Sequence, residues 1–314
     1  MENIKYYNEN AKFTAPVMIA GWPGMGNVAV EVVDYLRRKL DAAKLAEIII
    51  DPWAAIDSVI VEDGRATLPN PPQNLFYYRE DLNLIIFESE AQLPGKGGIE
   101  LLDKVLDVAE RFGVQRIYTG AAFPMSASYK ESPSVYAAAT NPTLVAALTS
   151  FGLIPMESGH ISGLNGLLVG LAHARGIEAA CLLATMPQYA VSLPNPKASA
   201  AIIEVLEKML KFTVDTGELA EYSKEMDEKM SIIEEKVKGV LAFDHDDADN
   251  HHLPAPSANT EKKIPSYIME KIEKLFAEAK LDKTKAIMLK RELDRWDLYK
   301  AYEDRFLDLF KNSQ

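Results

Sequence analysis

Across the first 212 residues, short apolar runs alternate with longer stretches in which apolar residues recur every three to four positions. The runs at 16–20 (PVMIA), 46–50 (AEIII), 82–87 (LNLIIF), 116–122 (RIYTGAA) and 179–185 (AACLLAT) predict strands. The periodic stretches at 26–40, 98–112, 142–151 and 196–212 predict helices. Asn141-Pro142 and Asn195-Pro196 mark two helix starts, because Asn can cap free amides and Pro at the first helical position loses no hydrogen bond. Strands alternating with helices predict an α/β fold with three layers, a sheet covered by helices on both faces. Residues 58–78, with SVIVEDGRATLP and NLFYY, read as an antiparallel hairpin set into this pattern, so the sheet is expected to be mixed.

After residue 212 the pattern changes. Tyr222, Met226, Met230, Ile233, Val237 and Val240 fall on one stripe and predict a long amphipathic helix over 213–243. Residues 244–263 (DHDDADNHHLPAPSANTEKK) are polar and charged, the composition of a flexible linker. A helical hairpin is expected over 264–314, with helices at 265–280 and about 283–311, the second capped by Asp282. Ile268, Ile272, Leu275 and Phe276 share a face of the first; Leu289, Leu293, Trp296, Tyr299, Tyr302, Phe306 and Phe310 share a face of the second. The expected organisation is an α/β core domain over 1–212 followed by these three segments.

Composition narrows the function classes. Of 314 residues, 46 are acidic and 34 basic, a net charge of −12 that disfavours nucleic acid and anionic membrane as partners. The one cysteine, Cys181, excludes a disulfide framework or a cysteine-based zinc site within the chain and fits the interior of a strand. No run approaches the roughly 18 apolar residues of a membrane span, and MENIKYYNENAK carries no signal pattern. A cytoplasmic location is expected.

The stretch GWPGMGNVAVEVVDYL, residues 21–36, poses the central chemical question. A strand, a glycine turn and a helix start form a geometry that binds phosphates. Gly21, Gly24 and Gly26 are spaced G-x-x-G-x-G, the reverse of the dinucleotide fingerprint, and Asn27-Val28 stands where a Walker loop needs Lys-Ser/Thr. Two readings stand: a tight turn whose glycines allow close packing, or a small-ligand or anion site at Gly24, Met25, Gly26 and Asn27. Further candidates follow other strands. Glu88 and Glu90 are two apart and could pair as acid and base, or be solvated carboxylates. Thr119 and Gly120, with Ser126, Ser128, Tyr129 and Lys130 beyond them, occupy a strand end and a long connection, suited to a ligand or to subunit packing. In GHISGLNGLL, His160, Ser162, Gly163 and Asn165 could line a site at a helix start capped by Ser162, with His160 alternatively structural. GHISG departs by one position from a nucleophile elbow, which weakens a hydrolase reading. His245, His251 and His252 lie among aspartates in the linker without fixed ligand spacing, so no metal is expected. No cofactor is implied.

The GWPGMGN loop, GHISGLNGLLVGLA at 159–172 and ATNP at 139–142 together resemble the proteasome assembly chaperone 2 family, over about residues 10–212. The resemblance implies a nucleoside-phosphorylase-like α/β/α fold without the phosphorylase residues. It also implies homo-oligomers in prokaryotes, a trimer favoured, and relatives that chaperone proteasomal α-subunits. Those relatives can dock through a hydrophobic-Tyr-any tail, whereas this chain ends LFKNSQ, so proteasome-type partners are expected without tail insertion. The leading expectation is a non-enzymatic, homo-oligomeric, chaperone-like protein. The alternative is a protein or enzyme that takes a nucleoside, phosphate or nucleotide at the glycine loop.

Overall fold

The computed structural model describes residues 4–50, 59–243 and 266–281, and, of 285–309, residues 285, 286, 289, 290, 293, 298, 302, 305, 306 and 309. The chain divides into two compact units, Met1–Ala248 and Asp249–Gln314.

The first unit is a three-layer α/β/α structure. Its strands are β1 (Ile4–Tyr6), β2 (Val17–Gly21), β3 (Ala43–Ile48), β4 (Ile60–Glu62), β5 (Arg65–Thr67), β6 (Asn74–Arg79), β7 (Leu84–Ser89), β8 (Arg116–Met125), β9 (Val135–Ala139), β10 (Ile154–Pro155) and β11 (Glu178–Pro187). The helices are α1 (Val28–Lys39), α2 (Gly95–Arg111), α3 (Pro142–Ser150), α4 (Leu164–Ala174), α5 (Pro196–Leu210) and α6 (Gly217–Phe243). Nine strands form one mixed sheet in the order β1-β3-β6-β7-β2-β8-β11-β9-β10. Its centre, β7-β2-β8-β11, is parallel, while β6 against β7 and β9 against β11 are antiparallel.

Strand alternation sends neighbouring side chains to opposite layers. On β2, Ile19 joins Val32 and Leu36 of α1 and Ile202 and Leu206 of α5. Met18 and Ala20 join Leu102 and Val105 of α2 and Leu168 of α4 on the other face. Leu219, Met226 and Met230 of α6 are buried in the first layer, so the predicted stripe packs on the core through its first half. The side chains of Val237 and Val240 lie outside the described residues.

Three local expectations change. The hairpin is confined to β4 and β5, joined by Asp63-Gly64 with both residues at positive φ, the two-residue loop that matches strand twist. NLFYY instead enters the main sheet as β6. The strand expected at 46–50 lies earlier, at Ala43–Ile48, and Ile49 is exposed beyond it. Helix α2 starts at Gly95 rather than 98, directly after Pro94 in an extended conformation.

Both Asn-Pro starts are capped as expected: Leu144 N–H donates to Asn141 Oδ1 at 2.8 Å and Ala198 N–H to Asn195 Oδ1 at 3.1 Å. Asn195 is buried, so water does not replace its cap. The substitution Asn195→Ala is expected to cost about 1–2 kcal/mol, read as a lowered urea midpoint at unchanged m-value.

In the second unit, α7 (Ser266–Leu281) supplies Ile272, Phe276 and Ala279 to a core shared with Ala286, Leu289, Leu293, Leu298 and Phe306. Arg305 grips Glu273 with both terminal nitrogens, at 2.6 and 2.5 Å, and lies 4.2 Å over the Phe276 ring. The linker at 244–263 with its three histidines, the Asp282 cap, and Trp296, Tyr299 and Phe310 lie outside the described residues.

Candidate functional site

The glycine loop runs from the end of β2 into α1 and is wound onto the segment before α5. Gly24 is fully extended, Met25–Asn27 form a single 3-10 turn, and Gly26 and Asn27 take the left-handed conformation at φ 64 and 51. The Gly26 N–H donates to Val191 O at 3.0 Å, the Asn27 N–H to Gly24 O at 2.9 Å, and the Val28 N–H to Met25 O. The Asn195 N–H returns to Gly26 O at 2.9 Å. Three amides of this turn, those of Gly26, Asn27 and Val28, are therefore already taken by carbonyl oxygens rather than free for a phosphate.

Side-chain amides hold the loop from the other side. The Trp22 N–H donates to Asn165 Oδ1 at 3.0 Å and Asn165 Nδ2 donates to Trp22 O at 3.2 Å, so one side chain completes the last peptide beyond β2 as a neighbouring strand would. The Thr119 hydroxyl fixes the same turn of α4 by donating to Asn165 O at 2.8 Å. Gln92, following β7, donates through Nε2 to Pro23 O at 2.7 Å, and its Oε1 accepts from the Leu164 N–H at 3.0 Å. Gln92 thus does the capping expected of Ser162: α4 begins after Gly163, whose φ of 80 turns the chain, and no neighbouring side chain caps it. The GWPG and ISGLNG motifs are two halves of one clasp. Sequence reasoning missed Gln92, since a glutamine in a polar loop carries no distinguishing pattern. Trp22 packs against Phe87 with ring centroids 5.0 Å apart and planes inclined at 48°, and its indole N–H has no hydrogen-bond partner among the described residues.

Above the clasp, at the C-terminal end of the parallel strands, lies a cavity of about 360 Å³. Gly24, Met25, His160, Ser162 and Asn165 line it, joined by Gln92 and by the end of β8 from Ala121 to Pro124. Other expected site residues face elsewhere. Gly26 packs beneath Met186 and Asn195, Gly120 lies under Ala29 of α1, and Gly163 lies against Gln92. Thr119 points to the α4 layer, and Asn27 forms the start of α1. The two glutamates part. Glu88 pairs with Arg37 of α1 at 2.7 Å, and Glu90 accepts the Gln73 N–H at 2.8 Å where β7 has ended. Burial pushes the Glu88 carboxyl above its ordinary range, opposed by the Arg37 guanidinium.

Two further carboxylates are covered by neighbouring elements, Glu31 half-buried and Glu234 buried. Glu31 accepts the Ser199 hydroxyl at 2.6 Å between α1 and α5, and burial raises its pKa more than that bond lowers it. A folded-state pKa above the unfolded one means stability is retained below the unfolded value, near 4.5, and lost as pH rises through the folded value. Glu31→Gln keeps an acceptor for Ser199 without the charge. It is expected to exceed the parent in stability at pH 7 and to converge with it near pH 4, followed by urea midpoints across pH. Glu234 of α6, 6% exposed, gathers the Ser128 hydroxyl at 2.9 Å, the Tyr189 hydroxyl at 2.6 Å and the Tyr129 N–H at 3.2 Å. The polar connection after β8 therefore anchors α6, and Lys197 adds to it by donating to Tyr129 O and pairing with Asp227. Lys130 is exposed on that connection. Cys181 is fully buried and its thiol is pushed up to about 12 by burial, which leaves it a packing residue. Among the described residues no group of His, Cys, Asp and Glu is placed to hold a metal ion, and no helix is long and apolar enough to cross a membrane.

The fold has counterparts among known proteins. PbaB of Pyrococcus furiosus, an archaeal proteasome activator, is 27% identical, with 74% of this chain and 98% of that one superposed at a TM-score of 0.63. PbaA of the same organism, an archaeal homolog of proteasome-assembly chaperone, is 22% identical over 75% of this chain and 99% of that one, with a TM-score of 0.58. A proteasome-assembly chaperone homologue from Mycobacterium tuberculosis is 20% identical over 75% and 97%, with a TM-score of 0.56. No curated protein matches the chain. The model of the PAC2 family matches residues 18–234, which hold the sheet from β2 onward apart from Val17, the glycine loop and both halves of the clasp, and the chain belongs to that family.

Proposed function

We propose that this protein is a non-enzymatic, homo-oligomeric, chaperone-like partner of proteasome-type subunits, acting in the cytoplasm. The likeness to PbaB, a proteasome activator, over nearly the whole of that chain carries the reading. The site agrees with it: the Trp22 peptide of one signature motif is paired with the Asn165 amide of the other, and among the described residues no carboxylate lines the cavity beside His160 and Ser162 to complete an acid–base set. Apolar side chains stand exposed around the same end and edge of the sheet, among them Met25, Met125, Ile154 and Leu167, as a protein-docking surface requires. The test is size-exclusion chromatography with light scattering on the full chain, alone and mixed with the proteasomal α-subunits of its own source. The expected result is a whole-number multiple of the 34.8 kDa chain, a trimer by family resemblance, and co-elution with the α-subunits. A monomer at micromolar concentration that elutes apart from them would overturn the proposal.

A further inference from the structure

The cavity above the clasp has a chemistry that protein docking does not use. Met25, Phe123, Met156, Ile161 and Leu183 give it apolar walls, and among the described residues no Asp, Glu, Lys or Arg lines it. Its volume, about 360 Å³, lies in the range of small-molecule sites. Asn165, 5% exposed, reaches this cavity from below. One of its two Nδ2 hydrogens goes to Trp22 O, and the described residues offer no acceptor for the other. A buried donor left without an acceptor costs free energy, which an incoming acceptor would recover. Gly24 keeps the approach to that nitrogen open: a Cβ there would stand 3.9 Å from Asn165 Nδ2 with nothing nearer.

We propose that the cavity binds an uncharged organic molecule that joins an aromatic or branched aliphatic body to a carbonyl-type oxygen, which accepts from Asn165 Nδ2. Ser162 and His160, both exposed at the rim, contact its outer end. Charged ligands are disfavoured because among the described residues no Asp, Glu, Lys or Arg lines the walls, His160 standing only at the exposed rim, and moving an unpaired charge into the apolar part costs more than the contacts return. Phosphates are disfavoured on this ground, and also because the Gly26, Asn27 and Val28 amides already have carbonyl partners.

The inference stands apart from the protein-partner proposal and is tested without a partner. Saturation-transfer NMR on the full chain compares benzamide and acetanilide with benzoate and benzylamine, which have similar bodies but carry charge. The neutral pair is expected to bind with Kd on the order of 1 mM, at least about tenfold tighter than the charged pair. Gly24→Leu should abolish the signal while retaining the parent's melting temperature, since Gly24 is extended and its missing Cβ faces space. Equal binding of neutral and charged probes, no binding of either neutral probe, or undiminished binding to folded Gly24→Leu would each overturn the proposal. The comparison of probes on the parent protein decides the matter even if the variant folds poorly.

Discussion

Asn165→Leu should destabilise the core unit by about 3–4 kcal/mol, although leucine matches asparagine closely in size and removes no apolar contact. The loss comes from two backbone groups. Trp22 N–H and Trp22 O lie in a wholly buried residue, and each has the Asn165 amide as partner. Leaving a buried donor or acceptor without a partner costs about 1–3 kcal/mol each, far more than the net value of a hydrogen bond that water can replace. Gln92→Ala is the control. It also removes two bonds to the same loop and helix, but Gln92 is exposed, so water takes its place and the expected cost is below about 1 kcal/mol. Urea unfolding followed by fluorescence gives both values as midpoint shifts at constant m-value. Amide exchange at Trp22 should quicken in Asn165→Leu alone. Similar losses in the two variants would mean that solvent reaches Trp22 and that the clasp contributes little.

The parallel centre of the sheet was legible because its strands are strong apolar runs flanked by helices with proline starts. The strands that sequence reasoning missed lack that signal. VYAAA of β9 is rich in alanine, which favours strands weakly, and forms only because β11 and β10 border it. The strands β1 and β10 have three and two residues and exist through pairing with distant partners. The site divides in the same way. Of the candidate residues, Gly24, Met25, His160, Ser162 and Asn165 lie around one cavity, and Glu88 and Thr119 do not. What spacing could not show is which way each residue faces. On β7 and β8, alternation turns Glu88 toward α1 and Thr119 toward α4, and a one-residue change of register would have reversed both. The carboxylates of Glu31 and Glu234 were not singled out in sequence, because each looks like a surface residue of an amphipathic helix until a second helix or loop covers it.

The three glycines of GWPGMG should respond very differently to alanine, and Gly21→Ala should be the most damaging, at about 3 kcal/mol or more. A Cβ on Gly21 would lie 2.5 Å from the carbonyl oxygen of Ala29 and 2.8 Å from Val33 Cγ2, both in α1. A flexible side chain could swing aside, but the Ala29 oxygen belongs to the helix backbone, so α1 itself must move off β2. That shift would disturb Val28, Val32, Val33 and Leu36, which are all buried in the layer beneath α5. Overpacking usually costs about 1–3 kcal/mol, and the upper end applies where only backbone can yield. At Gly26 the cause differs. Its φ of 64 disfavours any side chain by about 1–2 kcal/mol, while the nearest obstacle, Met186 Sδ at 3.1 Å, sits in a side chain that can adapt. Gly24→Ala meets neither obstacle, since its backbone is extended and its nearest neighbour is 3.9 Å away, so the expected change is within about 0.5 kcal/mol. The order Gly21, Gly26, Gly24, measured by urea midpoints, separates packing and turn formation from ligand access within one motif. If Gly24→Ala proved the most damaging, the loop's role in keeping the cavity open would give way to a structural demand at that position.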